Sequence, residues 1–239
     1  MEKQIKSEGS KGYSIDLEQI SINRYVEILK HQNLLPGRKV LLEEIDERFA
    51  RFTELGVQNV LDLKGLLSSS KKLLVFTRQT GIPLDYLIVL KREIGSLEQK
   101  PVPLADFQGV NSQLITSLAD HGIRTTKDLY DRFQENGILM VINDNPGIAE
   151  AQITEVICLS NLVRINGVGP AAARALYAAG YKNISEVAAA NSEDLWERIS
   201  LANSAGQYYS AKLGLKDMQF VIDFAHLLQS SNCLPPGNR

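Results

Sequence analysis

Gly167, Val168, Gly169 and Pro170, at the centre of the run from Leu162 to Leu176, have the residue types of an anion site. The two glycines permit tight backbone geometry and leave no side chain between peptide N–H groups and an incoming oxygen. Pro170 suits the first turn of a helix, where its missing N–H costs nothing. The N–H groups exposed at such a helix start, with the dipole behind them, attract a phosphate. Arg164 and Arg174 flank the turn and Lys182 lies in the next one, so all three are candidate cations for the same anion. A second account stands level with the first. Gly167-Val168-Gly169 is then a tight turn letting two helices pack closely, with Ala171, Ala172 and Ala173 making room.

Catalysis finds no comparable constellation. A nuclease needs several carboxylates converging on Mg²⁺, and the acids here are scattered. His31, His121 and His226 have no partner at metal-ligand spacing, and His121, beside Gly122, suits a helix end. Gly-x-Ser-x-Gly, P-loop and Rossmann patterns are missing from the sequence. The expectation is no catalytic residue, no metal and no cofactor. Cys158 and Cys233 sit in no CxxC or Cys/His pattern. That argues against a zinc site or disulfide framework and for a reducing cytoplasm, with Cys158 a small core residue.

The elements that position this turn announce themselves by punctuation. Gly56-Val57-Gln58-Asn59 with Asp62, Gly122-Ile123-Arg124-Thr125 with Asp128, and Gly180-Tyr181-Lys182-Asn183 with Glu186 share one grammar. A glycine suits the left-handed conformation that ends a helix. Asn59, Thr125 and Asn183 suit the N-cap of the next helix, and the acid three positions on meets its dipole. Gly81, Gly147 and Gly214 then precede apolar helical runs, Leu84 to Ile94, Ala151 to Leu159 and Met218 to Leu228. The glycine spacing is 25 residues in the first two copies and 34 in the third. The extra residues are expected in Asn203 to Gln207. Before the first glycines, Ile45, Phe49, Phe52 and Leu55, and then Leu114, Ile115 and Leu118, recur at helical spacing. No run alternates with period two, so the fold class expected is all-α.

An apolar-x-Gly-Val-Gly-Pro turn opening a helix, closed by Ala179-Gly180-Tyr181, resembles the helix-hairpin-helix motif. That motif occurs in DNA-repair and recombination proteins, including the second domain of the Holliday-junction-binding helicase subunit. The whole chain is also similar to an uncharacterised bacterial family with tandem repeats of this kind. The resemblance implies three tandem helix-hairpin-helix (SAM-like) repeat units with an extra N-terminal helix. It also implies that the hairpin touches DNA backbone without reading sequence. Three alanines follow Gly169 where many such hairpins carry Lys or Arg. Aligned on Gly169, the second copy has Asn111 and the first has Ile45.

The organisation expected is a disordered tail over 1–13, an N-terminal helix and turn over 14–42, and repeats over 43–98, 104–160 and 161–229. A mobile tail over 230–239 follows. Within 14–42 one helix is expected from Ile15 to Leu35, stopped at Pro36-Gly37; Gln99 to Pro103 reads as a linker. Trp196 is expected in the core, and Tyr208-Tyr209 is expected to fold back onto its own unit. The hydrophobic share of 44% and the absence of a long apolar run indicate a globular chain with no membrane span. The formal charge is −2, and residues 100–160 carry four bases against eight acids. Residues 160–229 balance six against six. The function expected is a non-catalytic helix-hairpin-helix module contacting DNA or RNA backbone phosphates through the third repeat. The alternative is a helical protein–protein interaction scaffold with degenerate hairpins, and a nuclease ranks third.

Overall fold

Capping decides where this chain turns. The computed structural model describes residues 12–143 and 147–232, and the side chains of residues 135–143 and 231–232 lie outside that description. The tails expected over 1–13 and 230–239 thus lie largely outside the described residues. Where they do not, the chain is ordered: Tyr13 is buried and the last helix runs on to Asn232.

The protein is all-helical. Its helices are α1 (Ile22–His31), α2 (Ile45–Glu54), α3 (Val60–Leu66), α4 (Ser70–Thr80), α5 (Leu84–Ser96), α6 (Ser112–Asp120), α7 (Thr126–Asn143), α8 (Glu150–Leu162), α9 (Pro170–Ala178), α10 (Ile184–Ala188), α11 (Ser192–Gly206) and α12 (Leu215–Asn232). Short 3₁₀ turns cover Leu17–Gln19, Pro36–Leu42 and Leu104–Asp106. Among the described residues the only extended pairing is two isolated bridges, Ser21 with Asn59 and Pro103 with Thr125.

The three turns with shared punctuation have the same hydrogen bonds. Gly56, Gly122 and Gly180 have φ of +83°, +81° and +94°. Each donates to the carbonyl three residues back, and the following residue donates to the carbonyl five back, Val57 to Phe52, Ile123 to Leu118 and Tyr181 to Leu176. This is the Schellman closure of a helix end. Asn59, Thr125 and Asn183 then accept from the backbone N–H of Asp62, Asp128 and Glu186 at 2.9, 3.2 and 2.9 Å. The acids answer by accepting from Gln58, Arg124 and Lys182, which completes a reciprocal cap.

The long helix expected from Ile15 to Leu35 is broken. Asp16 and Ser21 each cap a new start, and Ile20 to Ile22 pairs with the turn at Gln58 to Val60 instead. In the same way Val102 and Leu104 pair with Thr126 and Arg124, so the end of the expected linker is held. In the third copy α11 runs through the expected insertion, and Gln207, not Gly214, takes the left-handed position (φ 49°).

The described residues fall into two compact units. The first comprises residues 15–98 with 230–232, and the second comprises 12–14 with 99–229. The first is centred on Tyr25, Phe49, Phe52 and Phe76, with successive ring centroids 6.0, 5.1 and 5.3 Å apart. One ion pair, Arg38 with Glu93, is buried there. In the second, Leu114, Leu118, Ile153, Leu159, Leu162, Leu176, Leu195 and Ile222 are buried along α6, α8, α9, α11 and α12. Burial of each such side chain contributes about 1.5–3 kcal/mol.

Candidate functional site

The hairpin between α8 and α9 is built by chain reversal over six residues. Arg164 and Ile165 donate to Asn161 and Leu162 as α8 unwinds, and Val168 donates back to Ile165 at 3.0 Å. Gly167 bridges the reversal at φ +85°, a conformation that disfavours a side chain. Gly169 does something different. Its φ of −85° suits any residue, and a Cβ built there meets nothing within 4 Å. Pro170 occupies the first turn of α9. The N–H groups of Gly169, Ala171 and Ala172 have no acceptor among the described residues. Gly167 and Gly169 are exposed, whereas Val168 is buried. The tip thus has the geometry to accept an anion at its backbone, with Val168 anchoring it from beneath.

The three candidate cations do not gather at that tip. Arg164 is buried. Its Nε donates to the Tyr13 carbonyl at 2.8 Å, Nη1 to Asn161 at 2.7 Å and Nη2 to the Gly12 carbonyl at 2.6 Å. Its guanidinium lies 4.5 Å from the Tyr130 ring centroid, a cation–π contact. Burial draws its pKa down. Arg174 pairs with Glu155 and donates through Nε and Nη2 to the Gln108 carbonyl at 3.1 and 2.5 Å. Lys182 is exposed, and its backbone N–H caps onto Glu186 at 2.6 Å. Sequence alone pointed to no partner for either arginine, because Tyr13 and Gln108 carry no local signal that they will accept.

Two cavities mark the separation. One of about 120 Å³ lies against the hairpin and is lined by Gly167, Val168, Leu176, Tyr209 and Phe220, among others. The other, of about 260 Å³, is lined by Tyr130, Phe133, Cys158, Ser160, Arg164 and Lys182, among others. Arg164 and Lys182 therefore share a cavity that the glycines do not. Tyr209 turns inward, held by two hydrogen bonds between its backbone and the Asn203 amide. Trp196, expected in the core, is 39% exposed and anchors its indole N–H on the Leu213 carbonyl.

Chemistry beyond backbone contact has little material. His31 and His121 each direct Nδ1 at the carbonyl four residues earlier, 2.8 Å away in both cases. Burial pushes the Cys158 thiol up, away from a reactive thiolate. Among the described residues no three His, Cys, Asp or Glu side chains are placed to hold a metal. Among them also, no helix is long and apolar enough to cross a membrane.

A family model described as "Domain of unknown function (DUF4332)" matches residues 108–224. The matched span includes the hairpin and the turns at Gly122 and Gly180. No curated protein and no solved structure matches the chain.

Proposed function

We propose that the chain is a non-catalytic protein of three tandem helix-hairpin-helix units, working in a reducing cytoplasm, that contacts nucleic-acid backbone without reading sequence. One observation carries the reading. The exposed tip at Gly169 presents three unclaimed N–H groups at the start of α9, with open space before them. The repeated Schellman closure and reciprocal cap support the tandem architecture. The unpaired, half-buried Cys158 fits a reducing compartment.

A second reading, a helical protein-interaction scaffold, is favoured by the engagement of Arg164 and Arg174 with internal partners. Titration of labelled duplex, single-stranded and branched DNA at low and moderate salt separates the two. Binding that weakens steeply with salt supports backbone contact. Gly169→Glu places a carboxylate in open space at an ordinary φ, so the fold persists while the tip turns repulsive. An affinity loss of about tenfold is expected, a typical charge-assisted contact. No binding at low salt by the unaltered protein leaves the scaffold as the reading.

A further inference from the structure

The cations that an anionic partner requires are concentrated in the first unit. Between Lys64 and Arg92 the sequence holds six bases, Lys64, Lys71, Lys72, Arg78, Lys91 and Arg92, and a single acid, Asp85. The chain as a whole is at −2, so this local excess of five is the departure to explain. Lys64 pairs with Glu98. The other five are exposed and make no ion pair among the described residues.

The fold draws these charges together from three helices. Lys72 Nζ donates to the Gly65 carbonyl at 2.8 Å, and Lys91 Nζ donates to the Ser68 carbonyl at 2.9 Å. Both ammonium groups therefore sit over the loop joining α3 to α4. On α4, Lys71, Leu74, Val75 and Arg78 fall three and four residues apart and share one outward face. Lys71 and Arg78 are separated by roughly 10 Å of helix rise, about three base-pair steps of a duplex. Arg92 adds a further exposed charge on α5, which packs on α4.

We infer that this face of α4, with the loop before it and the adjoining end of α5, docks on the sugar–phosphate backbone of a nucleic-acid duplex. The inference rests on the reading that the chain contacts nucleic acid, and it moves most of the electrostatic contact from the second unit to the first. Backbone is favoured over bases because the aromatic residues of this stretch, Phe76 and Tyr86, are buried and unavailable for stacking. A duplex is favoured over an anionic bilayer because Leu74 and Val75, 49% and 46% exposed, are the only large apolar side chains the face presents. Five cations around so small an apolar area suit counterion release more than insertion.

The test uses the full chain and a short labelled duplex, titrated across a salt series. The variant Lys71→Gln/Arg78→Gln/Arg92→Gln removes three cations that make no hydrogen bond among the described residues, and circular dichroism and thermal melting check that it folds. Its plot of log K against log salt is expected to be shallower by about 2.7, at about 0.9 per phosphate released. Its affinity at low salt should fall at least about tenfold. Unchanged slope and affinity overturn the inference. The Gly169→Glu protein, run alongside, separates this outcome from the hairpin reading. If it binds weakly while the triple variant is unchanged, the hairpin reading stands and the inference falls. If the triple variant binds weakly while Gly169→Glu is unchanged, the reverse holds. Failure of the unaltered protein to bind duplex at low salt overturns the inference, and so does duplex-independent binding to phosphatidylserine vesicles.

Discussion

A guanidinium has five donors in a rigid fork, and at Arg164 three of them meet the carbonyls of Gly12 and Tyr13 and the side chain of Asn161. Arg164→Met should therefore cost stability, about 2–4 kcal/mol, by leaving two carbonyls unpaired at a buried site. Denaturant unfolding measures it. Duplex affinity should be unchanged under conditions where the variant is folded, since this arginine faces away from the hairpin tip. The Arg38–Glu93 pair makes the complementary case. Glu93 is 1% exposed, so Arg38→Met strands a carboxylate and should destabilise by about 3–5 kcal/mol. Arg38→Met/Glu93→Leu should recover most of that loss in the same assay. Nearby, the Tyr25 hydroxyl is buried without a partner among the described residues. Tyr25→Phe is accordingly expected to leave stability unchanged or raise it by up to about 1 kcal/mol.

At the scale of the element, the turns act through backbone conformation and capping. Gly56 and Gly122 lie at φ +83° and +81° with nothing within 4 Å of a built Cβ. Alanine at either should cost about 1 kcal/mol through conformation alone. Gly65, inside α3 at ordinary φ and equally open, should gain about 0.5–1 kcal/mol from the same change. Thermal melts of the three single variants compare them directly. Asp128 adds a pH signature. Burial by itself would raise its carboxyl, but hydrogen bonds from Thr125 and the Arg124 N–H, with Lys127 nearby, hold it below the ordinary aspartate value. A depressed folded-state pKa stabilises the fold fully above the unfolded value and is lost as pH falls through the folded one. The stability gap between the protein and Asp128→Asn should thus be constant above about pH 5 and close towards about pH 2. These turns were legible in sequence because each is a conversation between residues three to five apart. Trp196 was misplaced because apolar spacing on α11 identifies a helix but not which flank of its stripe is covered. The partners of Arg164 and Arg174 were illegible, since main-chain carbonyls 151 and 66 residues away carry no residue-type signal.

For the whole molecule, net charge conceals what matters: a chain at −2 holds a stretch with six bases and one acid. Solubility follows the total, whereas encounter with a polyanion follows the local field. The second unit is also discontinuous in sequence, because residues 12–14 belong with residues 99–229. Deleting residues 1–14 should destabilise that unit by about as much as Arg164→Met, roughly 2–4 kcal/mol. The two changes combined should cost little more than either, since they remove the same contacts. Unfolding curves of the two single variants and the combination decide it. This discontinuity also sets a schedule for synthesis. Tyr13 leaves the ribosome among the first residues, yet the guanidinium that binds its carbonyl follows 151 residues later. At about 5–20 residues per second the wait is about 8–30 s. Throughout it the apolar Tyr13 segment has no finished site to occupy, while residues 15–98 emerge and fold. The nascent amino terminus is therefore the stretch that a trigger-factor-like holdase would meet first and keep longest.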